Sequence, residues 1–163
     1  MGSRLVGRVG LTVALACALS FVGWRFPTGG RISLEMVPIL VLALSDGAGV
    51  GTLCGALFGA LDMLLEGAVR HPIEAVLDYL VAFAVLGTAG WFSGRYRKEH
   101  RSEVAVAAVV LAVALRFVCH TVSGVLWYTA GNWTMSALFN ASYLVPDAIM
   151  CALLVPQVAR RVV

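Results

Sequence analysis

GGRISLEMVPILVLAL, residues 29–44, opens on two glycines and an arginine, passes through Glu35, and then runs apolar to Leu44. The run has the character of a membrane helix, and a carboxylate stands at its threshold. An acid in that position is either an anchor for the fold or part of a ligand site. The rest of the chain has to decide between them.

Outward from this stretch the sequence stays apolar. Hydrophobic residues make up 60% and charged residues 13% of the 163 positions, and the mean hydropathy is +0.90, well outside the range of soluble domains. Apolar stretches near 9–24, 34–45, 47–65, 74–93, 104–128 and 135–159 predict six helices in one membrane domain spanning 1–163. The expected fold is therefore all-α and polytopic. Gly47, Gly49, Gly51, Gly55 and Gly59 predict a turn followed by a third helix with a small-residue packing face. Pro38 is expected to disturb regular helix bonding early in the second helix.

Positive charge is retained on the cytoplasmic side of a membrane protein. Arg4 and Arg8 precede the first helix, Arg95, Arg97, Lys98 and Arg101 fill the loop between the fourth and fifth, and Arg160 and Arg161 end the chain. Six spans put all of them on one face, which predicts both termini in the cytoplasm. The opposite loops carry Arg25, Arg31 and Arg70. The net charge of +3 follows from this topology and does not indicate nucleic-acid binding. The first twenty residues also fit a signal peptide, but retaining them is the simpler way to keep the basic segments together.

Several chemistries are excluded by what is missing. The chain has no G-x-S-x-G, no H-E-x-x-H and no phosphate-cradling G-x-x-x-x-G-K. Cys17, Cys54, Cys119 and Cys151 lie in apolar segments without C-x-x-C spacing, so they read as small hydrophobes rather than a zinc site or disulfide framework. Neither a cofactor nor an enzymatic activity is expected, and recognition or conduction remains.

The polar residues are unevenly placed. In the six-helix topology Glu35, Glu66, Glu74 and Asp78 fall toward external helix ends or loops, as do Trp24, Tyr79, Trp127, Tyr128 and Trp133. His120, Asn140 and Tyr143 lie one or two turns deeper. Acids among aromatics suit an organic cation, and an apolar pocket with a few placed polar groups is the usual anatomy of a small-molecule site. Each residue also has a plainer reading. Tryptophan and tyrosine at helix ends, Trp91 included, form interfacial belts; Glu66 and Glu74 read as solvated loop acids; His120 can bond across helices; Arg116 and Asp147 can pair. Asp78 is harder to dismiss, because an acid at membrane depth is costly.

Four segments in order, GGRISLEMVPILVLAL (29–44), HPIEAVLDYLVAFAVLGTAGWF (71–92), RFVCHTVSGVLWY (116–128) and FNASYLVPDAI (139–149), resemble the thiamine-specific substrate-binding subunits (S components) of energy-coupling factor (ECF) transporters. The resemblance covers the second to sixth helices. It implies a six-helix bundle that captures thiamine at its external face in the cell membrane, served by a separate transmembrane coupling protein and two cytoplasmic ATPases. It assigns the acid–tyrosine pair to Asp78 and Tyr79, the fifth-helix histidine to His120, the following aromatics to Trp127 and Tyr128, and the sixth-helix asparagine to Asn140. Glu35 is the candidate acid of the first external loop and Trp24 its candidate aromatic; Met135 replaces an aromatic found in some members, leaving Trp133 or Tyr143 to complete the cage. On the first helix, Ala14 and Ala18 lie four apart, and the family uses such a face to dock the coupling protein. The alternatives are an S component for another heterocyclic vitamin, a membrane scaffold whose polar residues only join helices, or, more remotely, an enzyme acting on lipid.

Overall fold

The computed structural model describes residues 2–27, 29–67 and 69–163, without the side chain of Glu66. Among them are six helices: α1 (Ser3–Ser20), α2 (Met36–Asp46), α3 (Ala48–Glu66), α4 (Pro72–Glu99), α5 (Ser102–Trp127) and α6 (Trp133–Val162). Five are long and apolar enough to cross a membrane. The exception is α2, whose 11 residues extend about 16 Å at 1.5 Å per residue, against a hydrocarbon layer of about 30 Å.

That short helix is the centre of the bundle. Met36, Val37 and all of Ile39 through Leu44 are buried, because α1, α3, α4 and α6 pack around it. A helix apolar on every side is covered by protein or by lipid, and α2 is covered by protein. Pro38 does not disturb it: it is the third residue of the helix, where a missing N–H has no intrahelical partner to lose.

The sequence places the end of the first helix near residue 24, but α1 stops at Ser20. Gly23–Arg25 (β1) instead pairs antiparallel with Arg31–Ser33 (β2), with Trp24 opposite Ile32. Gly23 permits the pairing, since a Cβ there would lie 2.1 Å from the Ile32 carbonyl oxygen. Backbone polar groups that a helix would have satisfied are met by this hairpin.

The predicted small-residue face of α3 packs on α4. A Cβ at Gly55 would meet the Phe83 carbonyl oxygen at 2.1 Å, and one at Gly59 the Tyr79 carbonyl oxygen at 2.4 Å, so only glycine lets the backbones approach so closely. The facing part of α4 is irregular, with a π-helical stretch at Val76–Val81 and a 3-10 stretch at Val85–Phe92. Hydropathy carries no trace of either.

Two ends of the bundle are fixed by polar contacts. At one, Arg8 Nη1 donates to Asp46 at 2.7 Å, joining the start of α1 to the end of α2, and Arg160 donates to Ser102 at 2.8 Å, joining the end of α6 to the start of α5. Arg95, Arg97 and Lys98, expected in a loop, lie on the last turns of α4 and Arg101 in the α4–α5 turn, all at this basic end. At the other are the hairpin, the α3–α4 turn and the α5–α6 turn, and most of the buried charge gathers toward them.

Candidate functional site

Glu35 immediately precedes α2 and is 1% exposed. Two arginines hold it. Arg31, one helical turn earlier in sequence, pairs with it and donates to Asp62 of α3 at 2.7 Å; Arg116 of α5 donates to its other oxygen at 3.3 Å. Arg31 is thus drawn inward from the loop position its sequence context assigns it. The helix N-terminus beside Glu35 also favours negative charge.

From Arg116 the network continues along α5. Its Nε donates to His120 Nε2 at 3.2 Å, one helical turn on, and its guanidinium stacks over Phe83 with 3.8 Å to the ring centroid. His120 Nδ1 lies 3.0 Å from Asp78, whose second oxygen accepts from Ser123 at 2.6 Å. With Arg116 Nε donating to Nε2, the neutral imidazole carries its hydrogen on Nδ1 and gives it to Asp78. Asp78 and Tyr79 both sit in the π-helical stretch of α4, a distortion frequent at functional sites. Tyr79 is half-buried there.

From α6 come Asn140 and Tyr143, both buried, with the Tyr143 hydroxyl donating to Asn140 Oδ1 at 2.5 Å. The Tyr143 ring stands edge-on to His120, centroids 6.3 Å apart. Gly30 of the first loop lies on the same ring, because a Cβ there would come within 2.6 Å of it. The hairpin is tied to α6 a second time where the Ser33 N–H donates to Asp147 at 2.9 Å. Asp147 therefore does not take the ion pair with Arg116 that the sequence offered; Glu35 does, since Arg116 reaches across to the start of α2.

The α3–α4 turn forms a second cluster. Glu74, expected as a solvated loop acid, is 1% exposed. Its Oε2 accepts from the N–H groups of Arg70 and His71 at 3.0 and 3.1 Å, and its Oε1 accepts from the Tyr128 hydroxyl. His71 and Glu74 form a capping box with Pro72 at the first helical position. The H-P-x-E pattern was the available signal. Arg70 lies over the Tyr128 ring at 4.5 Å, and His71 stacks on Trp127 with centroids 5.7 Å apart. Burial, then the bond to Glu74, push the Tyr128 phenol above its ordinary range, so it stays a donor. The Glu66 side chain, the other expected loop acid, lies outside the described residues.

Of the remaining sequence candidates, Trp133 opens α6, exposed, and Trp24 and Met135 are exposed as well. None of the three makes a ring contact among the described residues. Ala14 and Ala18 are both exposed on α1. Trp91 is exposed near the basic end. Arg31, Asp62, Glu74, Arg116 and Ser123 belong to the polar clusters but were not singled out as ligands from sequence.

A six-helix membrane bundle with buried acids and aromatics gathered at one end is built like a substrate-binding membrane protein. Comparison with known proteins is specific. The family model described as thiamine transporter protein (Thia_YuaJ) matches residues 6–162, and the chain belongs to that family. The thiamine transporter ThiT of Bacillus subtilis (strain 168) is 32% identical, over 92% of this chain and 86% of its own length. ThiT of Lacticaseibacillus paracasei is 24% identical over 80% of this chain and 74% of its own. The solved structure of ThiT from Listeria monocytogenes has the same fold, with a TM-score of 0.89 at 23% identity, covering 98% of this chain and 94% of that one. The protein is a thiamine transporter of the S-component type, a multi-pass membrane protein and not an enzyme.

Proposed function

We propose that thiamine binds between the hairpin and the external halves of α4, α5 and α6, and that the basic end faces the cytoplasm. The observation that carries this reading is the charge imbalance of the enclosed groups. Glu35, Asp62, Glu74, Asp78 and Asp147 supply acids where Arg31 and Arg116 are the buried or half-buried bases. A permanent cation such as a thiazolium balances such a surplus, and an anion does not.

Asp78 is the acid with the most freedom to serve the ligand, because it alone of the five is not buried and its partners are His120 and Ser123 rather than an arginine. Glu35 sets Arg116, and through it His120. Trp127, Tyr128, Trp133 and Tyr143 provide ring faces for the vitamin's two heterocycles. Asn140 and Tyr79 offer polar edges to the aminopyrimidine. Orientation with both termini inside follows from the basic end by the positive-inside rule.

Uptake against a gradient requires an energy source, and the chain carries no nucleotide motif. It therefore works with an ECF transmembrane coupling protein and two cytoplasmic ATPases, docked through the exposed face of α1 that carries Ala14 and Ala18. Calorimetric titration of purified protein with a panel of vitamins tests the ligand. Saturable one-to-one binding of thiamine is expected; binding of a different vitamin with none for thiamine would overturn the substrate.

A further inference from the structure

We infer that Glu74 is a positioning residue for thiamine recognition, which aims Tyr128 and enriches the electron density of its ring so that this aromatic face prefers a permanent cation. The inference rests on the assignment of Tyr128 to the thiamine site and adds to it a residue that touches no ligand.

The geometry divides Glu74 into two functions. One carboxylate oxygen gathers the Arg70 and His71 N–H groups and so fixes the turn that enters α4. The other accepts the Tyr128 hydroxyl, 54 residues away in sequence. A phenol that donates to a buried carboxylate takes on part of the electron distribution of a phenolate, and the negative face of its ring strengthens accordingly. The Arg70 guanidinium over that ring is a cation already using the face. His71, held by the same turn, stacks on the neighbouring Trp127. One buried acid thus sets both aromatics at the end of α5.

A role confined to capping α4 would lower affinity for every ligand alike, whereas polarisation of Tyr128 acts on the charge of the ligand. The test therefore compares thiamine with its isosteric thiophene analogue, which lacks the ring nitrogen and its permanent charge. Binding is measured by calorimetry on the full chain in detergent, with thermal melting as a check on folding. Glu74→Gln keeps an acceptor and removes the charge. It is expected to weaken thiamine about tenfold and the neutral analogue less than twofold.

Tyr128→Phe leaves the capped turn intact and removes the donor, so it should lower the thiamine-to-analogue affinity ratio by a similar factor even if the Glu74 variant fails to fold. In the Tyr128→Phe background, Glu74→Gln should change the ratio less than twofold further. An unchanged ratio in Tyr128→Phe overturns the inference, as does an equal loss for both ligands in Glu74→Gln. Undiminished thiamine affinity in Tyr128→Ala would instead remove Tyr128 from the site, which overturns the underlying assignment.

Discussion

Glu35→Gln removes a negative charge from between Arg31 and Arg116, the second of which is 6% exposed. Taking one partner from a buried ion pair costs about 3–5 kcal/mol, so this variant should melt well below the parent in detergent. A melting point within a degree of the parent would show the network to be solvated. Asp78→Asn is different in kind, because Asp78 is only partly buried and its two partners can still bond to an amide. It should leave the melting temperature close to the parent's and weaken thiamine about tenfold, equivalent to about 1.4 kcal/mol, by calorimetry. At this scale the sequence was half legible. Asp78 and His120 stood out because ionisable groups at membrane depth are costly. Glu74 did not, since the hydroxyl bonded to it comes from Tyr128, 54 positions on, and no local pattern records such a partner. Arg31 was hidden for the same reason: its distant partner is Asp62, 31 positions on.

Among the elements, the contact between α3 and α4 is the least tolerant. Gly55→Leu would drive a side chain into the Phe83 carbonyl, where even a Cβ stands at 2.1 Å. The helices must separate, and because Asp78 and Tyr79 lie on the same stretch of α4, thiamine affinity and melting temperature should fall together in that variant. Helix α1 predicts the opposite combination. Ala14→Trp with Ala18→Trp enlarges a face that is exposed, so thiamine binding by the isolated subunit should persist while co-purification with the coupling protein and cellular uptake are lost. Loss of binding by the isolated subunit would mean that this face packs internally. Helix number and most boundaries were readable from apolar runs alone, since length and hydropathy suffice for spans. The hairpin was not, because strands of three residues are too short to show alternation. Nor was the irregular winding of α4, of which the apolar run carries no trace.

For the molecule as a whole, the placement of tryptophans gives an optical test of which end takes the ligand. Trp127 and Trp133 lie toward the acidic end and Trp91 near the basic end. Thiamine should quench emission to saturation at one equivalent, Trp91→Phe should preserve that response, and joint replacement of Trp127 and Trp133 by Phe should remove most of it. Quenching that vanished with Trp91 would move the site to the other end.

The brevity of α2 has a consequence for distance. Its 11 residues cover about 16 Å, roughly half the hydrocarbon thickness, and Glu35 marks where they begin. On the proposed assignment, a vitamin bound near Glu35 lies about 16 Å from the far end of α2. On that assignment a single short helix, α2, separates the vitamin from the basic end of the bundle.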